Sequence, residues 1–155
     1  MSNSNEAYRY TECGLDNVFI EGLDVVTDDH GEEVYGIPNI LTLHKMIAEA
    51  IITNATGMSG KELRFLRTEM GYTQEQLADL LQIERITMGR WERGDKAVNA
   101  NAETVIRLLA AEKLEIGLDI SVEKMTKSSV WSSELTEIRI DGSDPENYRP
   151  IAHAA

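Results

Sequence analysis

The segment 72-YTQEQLADLLQIERITMGRWERG-94 contains the strongest signals for local structure in this chain. Thr73 and Gln76 have the spacing of a capping box, in which each side chain satisfies a backbone N–H at the start of a helix. Three leucines follow at helical spacing as the buried positions of that helix: Leu77, Leu80 and Leu81. A tight turn at Gln82–Ile83 then leads into another helix from Glu84 to Glu92. The segment therefore predicts two short helices joined by a tight turn.

Two further helices are predicted on either side of this pair. Upstream, Ser59 and Glu62 repeat the capping-box spacing, and Gly71 ends the helix that they begin. Its buried stripe is Leu63, Leu66 and Met70. Downstream, a helix from Asn101 to Leu114 is expected to present Val105, Leu108, Leu109, Ala110, Ala111 and Leu114 on one side. The series predicts a helical bundle over residues 59–115.

Residues 61–94 resemble the Xre family of DNA-binding domains, the Cro- and phage-repressor-like class. Its members read L-R-x-x-R-x-x-x-G-x-T-Q-x-x-L-A-x-x-L, then Val or Ile, a Thr-centred recognition helix and W-E-x-G. The matching residues are Leu63, Arg64, Arg67, Gly71, Thr73, Gln74, Leu77, Ala78, Leu81, Ile83, Thr87, Trp91, Glu92 and Gly94. The resemblance implies a lambda-repressor-like helix-turn-helix bundle whose recognition helix lies in the major groove.

The helix from Glu84 to Glu92 has two faces of different character. Thr87, Met88 and Trp91 are three to four residues apart and are expected to pack inward. Arginine can donate two parallel hydrogen bonds to guanine, and isoleucine can contact a thymine methyl group. A solvated surface is the alternative interpretation, but the resemblance favours DNA contact by the residues of the opposite face: Arg85, Ile86, Gly89, Arg90 and Arg93.

Other residues of the bundle receive roles from the same resemblance. Gln74 lies at a helix N-terminus, which attracts anions, and is expected to contact a phosphate or an edge base. Arg93 and Lys96 are candidates for phosphate contacts. Arg67 and Glu92 are expected to form an ion pair that ties the first helix to the end of the third, while Arg67 also reaches a phosphate.

Three positions depart from what the family or a helix prefers. Gln82 replaces the glycine that is usual in the turn, and Glu84 replaces the usual Ser or Thr cap. Gly89 in the middle of a helix costs about 1 kcal/mol relative to alanine. A close approach to DNA or to a neighbouring chain would explain this glycine, and drift is the alternative.

The two ends of the chain are predicted to differ from the bundle. Residues 1–58 read as a small α+β unit, with a hairpin around 28-DDHGEE-33 and a helix after Pro38. Residues 116–155 read as short strands at 116–122 and 135–140, followed by a frayed tail. The expected fold is thus mainly α, divided at residues 58 and 115.

Charge and composition restrict the class of protein. The chain of 155 residues has a net charge of −12, of which residues 1–58 contribute −8 and residues 59–115 only −1. A nucleic-acid surface must therefore be a local basic stripe in the middle segment. Cys13 is the only cysteine, so no internal disulfide and no multi-cysteine zinc site is expected. The absence of a signal peptide and of a long apolar run predicts a cytoplasmic protein without membrane contact.

These observations lead to one main functional hypothesis and two alternatives. The main one is a non-enzymatic transcriptional repressor, without cofactor or metal, that binds a palindromic operator in double-stranded DNA as a homodimer. The order of segments also resembles the MqsA/YgiT-like antitoxins, without their zinc cysteines. The acidic first 58 residues would suit a basic toxin as partner, and a solubilising acidic lobe without a partner is the alternative interpretation. A small-molecule sensor, with its pocket in the N-terminal unit, is the third hypothesis.

Overall fold

The computed structural model describes residues 7–54, 57–118, 121–123 and 137–151. The chain divides into two compact units, each described by itself below. The strand unit comprises residues 1–47 and 137–155, and the helical unit comprises residues 48–136. The described residues form a mixed α+β fold in which helices predominate and strands come from both ends of the chain, as the sequence predicted.

The described residues form the following elements in chain order. The strands are β1 (Tyr8–Arg9), β2 (Val18–Glu21), β3 (Val25–Thr27), β4 (Glu33–Tyr35), β5 (Ile138–Asp141) and β6 (Arg149–Pro150). The helices are α1 (Ile40–Thr53), α2 (Gly60–Met70), α3 (Gln74–Leu81), α4 (Arg85–Arg93) and α5 (Ala100–Lys113). Helix α1 begins in the strand unit and ends in the helical unit. None of the helices within the described ranges has the length and apolar character that a membrane crossing requires.

The main sheet of the strand unit joins both ends of the chain in the order β1-β2-β5-β6. Strands β2 and β5 pair in parallel, with Val18 opposite Ile138 and Ile20 opposite Ile140. These four side chains are buried because alternate residues of a strand point to the same face. The pairing of β1 with β2 and of β5 with β6 is antiparallel.

The C-terminal segment differs from the prediction. The tail after Gly142 is not frayed where it is described, since β6 pairs with β5 and the buried Tyr148 donates a hydrogen bond to the Pro38 carbonyl. Of the strand predicted over 116–122, residues 116–118 and 121–123 form no strand, and residues 119–120 lie outside the described residues. The two compact units divide between residues 47 and 48 and between residues 136 and 137, and β5 belongs to the same unit as β2, with which it pairs.

The predicted hairpin is present as β3 and β4, which pair antiparallel with Val26 opposite Val34. Asp28 accepts hydrogen bonds from the backbone N–H groups of His30 and Glu32, and Gly31 has a positive φ of 78°. The aspartate and the glycine thus supply the turn chemistry that the sequence indicated.

Two predicted capping boxes define the start of the helical unit's α2 and α3. The Ser59 hydroxyl accepts from the Glu62 N–H while the Glu62 carboxylate accepts from the Ser59 N–H. Thr73 and Gln76 repeat this reciprocal arrangement at α3. The helices pack around the buried side chains of Leu63, Leu66, Met70, Leu77, Ala78, Met88, Trp91, Ile106 and Ala110.

Helix α5 buries only part of the side that its apolar residues predicted, since Ala110 and Ala111 are buried as expected. Val105 is 49% exposed, and Leu108 and Leu109 are only half-buried. The fully buried positions include Arg107, which is 1% exposed, and Glu103. Apolar periodicity fails here because two charged residues occupy the buried stripe of the helix.

Arg107 is buried because it satisfies the end of α1. Its Nη1 group donates to the carbonyl oxygens of Ile51 and Ile52, both at 2.7 Å, and of Asn54 at 3.0 Å. Its Nη2 group donates to Glu103 at 2.9 Å, and Glu103 in turn accepts from the Met58 N–H. The last carbonyls of a helix have no partner within the helix, so the guanidinium supplies what α1 lacks.

Replacing Arg107 with methionine should lower the free energy of unfolding by about 3–5 kcal/mol, because Glu103 would be left as a buried charge without its partner. Urea-induced unfolding measures this change. The matched control is Arg64→Met, which alters an exposed arginine of α2 and should shift stability by less than about 0.5 kcal/mol. Equal effects of the two substitutions would contradict the structural role of Arg107.

Candidate nucleic-acid interface

The turn that joins α3 and α4 contains Gln82 and Glu84, the two residues that depart from the family pattern. Gln82 adopts the left-handed conformation, with φ 55°, and its N–H bonds to the carbonyls of Ala78 and Asp79. A side chain in this region costs roughly 1–2 kcal/mol relative to glycine, so the turn retains a strained residue. Glu84 occupies the N-cap of α4 without a side-chain cap hydrogen bond.

The inward face of α4 fixes the orientation of the helix. Met88 and Trp91 are buried, and Thr87 is half-buried. The opposite face leaves Ile86 63% exposed together with three exposed arginines: Arg85, Arg90 and Arg93. This face therefore combines hydrogen-bond donors with one exposed apolar side chain.

A shallow notch lies on this outer face. It is lined by Gln74 from the start of α3 and by four residues of α4: Arg85, Ile86, Gly89 and Arg93. All five are among the residues that the sequence proposed for DNA contact. Arg90 is exposed on α4 and Lys96 beyond it, but neither lines the notch.

The expected pair of Arg67 and Glu92 is present and has two-point geometry. Arg67 Nε lies 2.7 Å from Glu92 Oε2, and Arg67 Nη2 lies 2.9 Å from Glu92 Oε1. The Arg67 Nη1 group donates to the Tyr72 carbonyl at 2.9 Å. The side chains of Arg67 and Glu92 are 14% and 4% exposed, so the pair is largely shielded from water. It connects α2, the loop before α3 and the last turn of α4.

Gly60 is a second constraint on the position of α4, and sequence reasoning missed it. A methyl group at this residue would lie 2.2 Å from the Trp91 carbonyl oxygen and 2.6 Å from that of Glu92. Only glycine therefore allows the first turn of α2 to approach the last turn of α4 this closely. The signal in the sequence was a glycine at the first helical position, directly after the cap.

Asp95 is the other functional neighbour that was missed. Its carboxylate accepts from Arg93 Nε at 3.0 Å. The residue follows Gly94, which has φ 78° and ends α4, and the Asp95 N–H bonds back to the Arg90 carbonyl at 2.9 Å. The sequence R-G-D at a helix end was the available signal for this arrangement.

Comparison with known proteins identifies a helix-turn-helix in this part of the chain. The family model described as helix-turn-helix (HTH_3) matches residues 63–123. Residues 63–123 contain an Xre/Cro-like helix-turn-helix domain. The chain is also similar to an HTH-type transcriptional regulatory protein of Pyrococcus furiosus, at 32% identity over 81 residues. That alignment covers 50% of this chain and 26% of the relative, and no solved structure gave a significant match.

The family match gives the helices of this DNA-binding domain their names. The matched residues include α3 and α4, and the second helix of a helix-turn-helix motif, which corresponds here to α4, is called the recognition helix. The Arg67–Glu92 pair and Gly60 hold the last turn of the recognition helix against α2.

No group of three or more His, Cys, Asp or Glu side chains within the described parts of the chain is arranged to hold a metal ion.

Breaking the Arg67–Glu92 pair should destabilise the helix-turn-helix domain. Glu92→Ala leaves a shielded guanidinium without its carboxylate and should cost about 1–3 kcal/mol of unfolding free energy. A double-mutant cycle with Arg67→Ala should give a coupling energy in the range of about 0.5–3 kcal/mol.

The control cycle uses Arg93→Ala and Asp95→Ala, because the side chains of that ion pair are 62% and 58% exposed. Solvent screening should hold its coupling below about 1 kcal/mol. Equal coupling in both cycles would show that the Arg67–Glu92 pair has no special structural role.

Proposed function

We propose that the protein is a sequence-specific transcriptional regulator that represses by binding double-stranded DNA with α4 in the major groove. The observation that carries this proposal is the outer face of α4. Arg85 and Arg90 are exposed beside Ile86, and among the described residues neither guanidinium group has a hydrogen-bond or ion-pair partner. Their guanidinium donors are therefore available to a ligand.

The chemistry of these side chains suits the edges of base pairs. A guanidinium can donate to guanine O6 and N7 together, and the exposed Ile86 can contact a thymine methyl group. Gln74, at the first turn of α3, supplies a contact to a phosphate or an edge base. Arg67 and Lys96 supply phosphate contacts, which position the duplex without reading its sequence.

The charge distribution supports a local interface rather than a basic protein as a whole. The chain has a net charge of −12, yet five of the nine basic residues of segment 59–115 are in the proposed DNA-contacting set: Arg67, Arg85, Arg90, Arg93 and Lys96. Few phosphates would be neutralised, so the affinity for random DNA should be modest and should fall with salt. Specific contacts to bases must then provide discrimination.

A single recognition helix contacts too few base pairs to define a site in a genome, and we propose that two copies bind together. The operator is then palindromic, with half-sites about 34 Å apart, one turn of the duplex. Sedimentation of the protein with a selected duplex gives the stoichiometry, and a complex with one chain per operator would overturn this part of the proposal.

Arg85→Ala and Arg90→Ala should each lose roughly 1–3 kcal/mol of binding free energy on the preferred duplex, with the fold intact. Random-sequence duplex should be affected much less, because base contacts are absent there. Fluorescence anisotropy measures both affinities. The matched control is Arg64→Ala, which removes an exposed arginine from α2. Equal losses on both duplexes would show that Arg85 and Arg90 contact phosphate instead of bases.

The second candidate function is an antitoxin that neutralises a basic toxin and represses its own operon. Its support is the charge of residues 1–58, which contain 10 acidic and 2 basic side chains. Complementary charge accelerates association and excludes like-charged partners. Co-expression with the product of the neighbouring gene tests this function: a basic partner that separates at high salt supports it, and a neighbour that does not associate contradicts it.

A further inference from the structure

The Arg93 side chain points back along the recognition helix and has two close neighbours, Gly89 and Asp95. A methyl group at position 89 would come within 3.0 Å of Arg93 Nη1, 3.8 Å of its Cζ and 3.9 Å of its Nη2. The guanidinium therefore lies over Gly89, one turn before its own Cα, as side chains of a helix lean toward the N-terminus. This places it in the notch beside Arg85 and Ile86, at the centre of the outer face.

Asp95, which follows the end of α4, accepts a hydrogen bond from the same guanidinium. The Arg93 Nε group donates to Asp95 Oδ2 at 3.0 Å, and the position of Asp95 is fixed by the left-handed Gly94 and by the bond from its own N–H to the Arg90 carbonyl. Because Nε is engaged, the two terminal nitrogens of Arg93 remain for another ligand. No other partner of Arg93 exists among the described residues.

We propose that Arg93 reads a guanine, with Gly89 providing the space and Asp95 acting as the positioning residue. The inference rests on the proposed function and decides between the two roles expected for Arg93, a base contact from the outer face of α4 and a phosphate contact. Two parallel N–H groups match guanine O6 and N7 in the major groove. A phosphate contact would need no defined position over the helix, whereas the Arg93 guanidinium lies over Gly89 and lines the notch.

The same arrangement explains the helix-weakening glycine. Gly89 is buried, and outside the adjacent residues and the neighbouring helix backbone the three atoms closest to an added methyl group all belong to the Arg93 side chain. Alanine would therefore be accepted by the fold, since a flexible side chain can move away, and it should raise the melting temperature. It should also displace Arg93. The inference thus predicts opposite effects of one substitution on stability and on base discrimination.

The test begins with selection of a preferred duplex from a random library by the wild-type protein. Each guanine of a half-site is then replaced in turn by 7-deazaguanine, which lacks the N7 acceptor. One replacement should weaken binding of the wild-type protein about tenfold, and that loss should be absent in Arg93→Ala. Gly89→Ala should show a reduced loss at the same guanine despite its higher melting temperature. The matched control is Gly117→Ala, where an added methyl group meets open space.

Asp95→Asn separates positioning from charge. Removing a negative charge near the duplex should raise the affinity for random DNA, most strongly at low salt. The preference for the guanine assigned to Arg93 should fall nonetheless, because the amide holds Arg93 Nε less strongly than the carboxylate does. An unchanged preference in this variant would remove Asp95 from the inference.

The remaining outcomes distinguish this inference from the proposed function. If Arg93→Ala weakens binding uniformly across sequences and retains every sensitivity to 7-deazaguanine, Arg93 contacts phosphate and the inference is overturned while the proposed function stands. A preferred half-site that contains no guanine would likewise overturn the inference and leave the proposed function standing. If the wild-type protein selects no sequence, the proposed function fails and the inference fails with it.

Discussion

The position of the recognition helix depends on the ion pair between Arg67 and Glu92. The guanidinium binds the carboxylate through two nitrogens and the Tyr72 carbonyl through the third, so one side chain connects α2, the entry to α3 and the end of α4. Parallel hydrogen bonds between charged groups are directional as well as strong, particularly where water is largely excluded. Gly60 complements the pair, because a methyl group at this position would lie 2.2 Å from the Trp91 carbonyl oxygen, so only glycine permits the observed close approach of α2 and α4.

The outer face of α4 can be devoted to binding, because the packing of the inner face and the Arg67–Glu92 pair fix the position of the helix. Met88 and Trp91 supply the apolar anchor, and the exposed arginines therefore do not need to stabilise the fold. Gln82 in a left-handed conformation and Glu84 without a side-chain cap show that the turn is not optimised for stability. Local strain next to a binding surface is common where the surrounding structure over-determines the conformation.

Local signals in the sequence predicted the starts of α2 and α3 and the buried stripe of α2, whereas Leu80, expected in the core of α3, is 54% exposed. Both capping boxes involve residues three positions apart, and the buried stripe of α2 follows the helical period, so each could be read within one segment. The resemblance to the Xre family supplied what the period alone could not, namely the pairing of Arg67 with Glu92 and the residues on the outer face of α4. These assignments depend on local spacing and on one familiar arrangement of helices.

Interactions between distant segments were not predictable in the same way. The parallel pairing of β2 with β5 joins residues about 120 positions apart, and nothing in either short strand identifies the other. Arg107 and Glu103 occupy a buried stripe that hydropathy assigned to apolar residues, because their partners are backbone groups of another segment. At the interface, the hold of Asp95 on Arg93 depends on the helix ending at Gly94 and on side-chain direction, which a list of exposed charges does not reveal.

The most direct test of the account is a map of the surface that contacts DNA. Amide chemical shifts of the isotope-labelled protein are recorded with and without the selected duplex. If α4 enters the major groove, the largest changes in chemical shift occur at the start of α3 and along the outer face of α4, at Gln74, Arg85, Ile86 and Gly89. Only small changes are expected around the exposed Val105 of α5. Large changes on α5 or in the strand unit, with α4 unaffected, would contradict it.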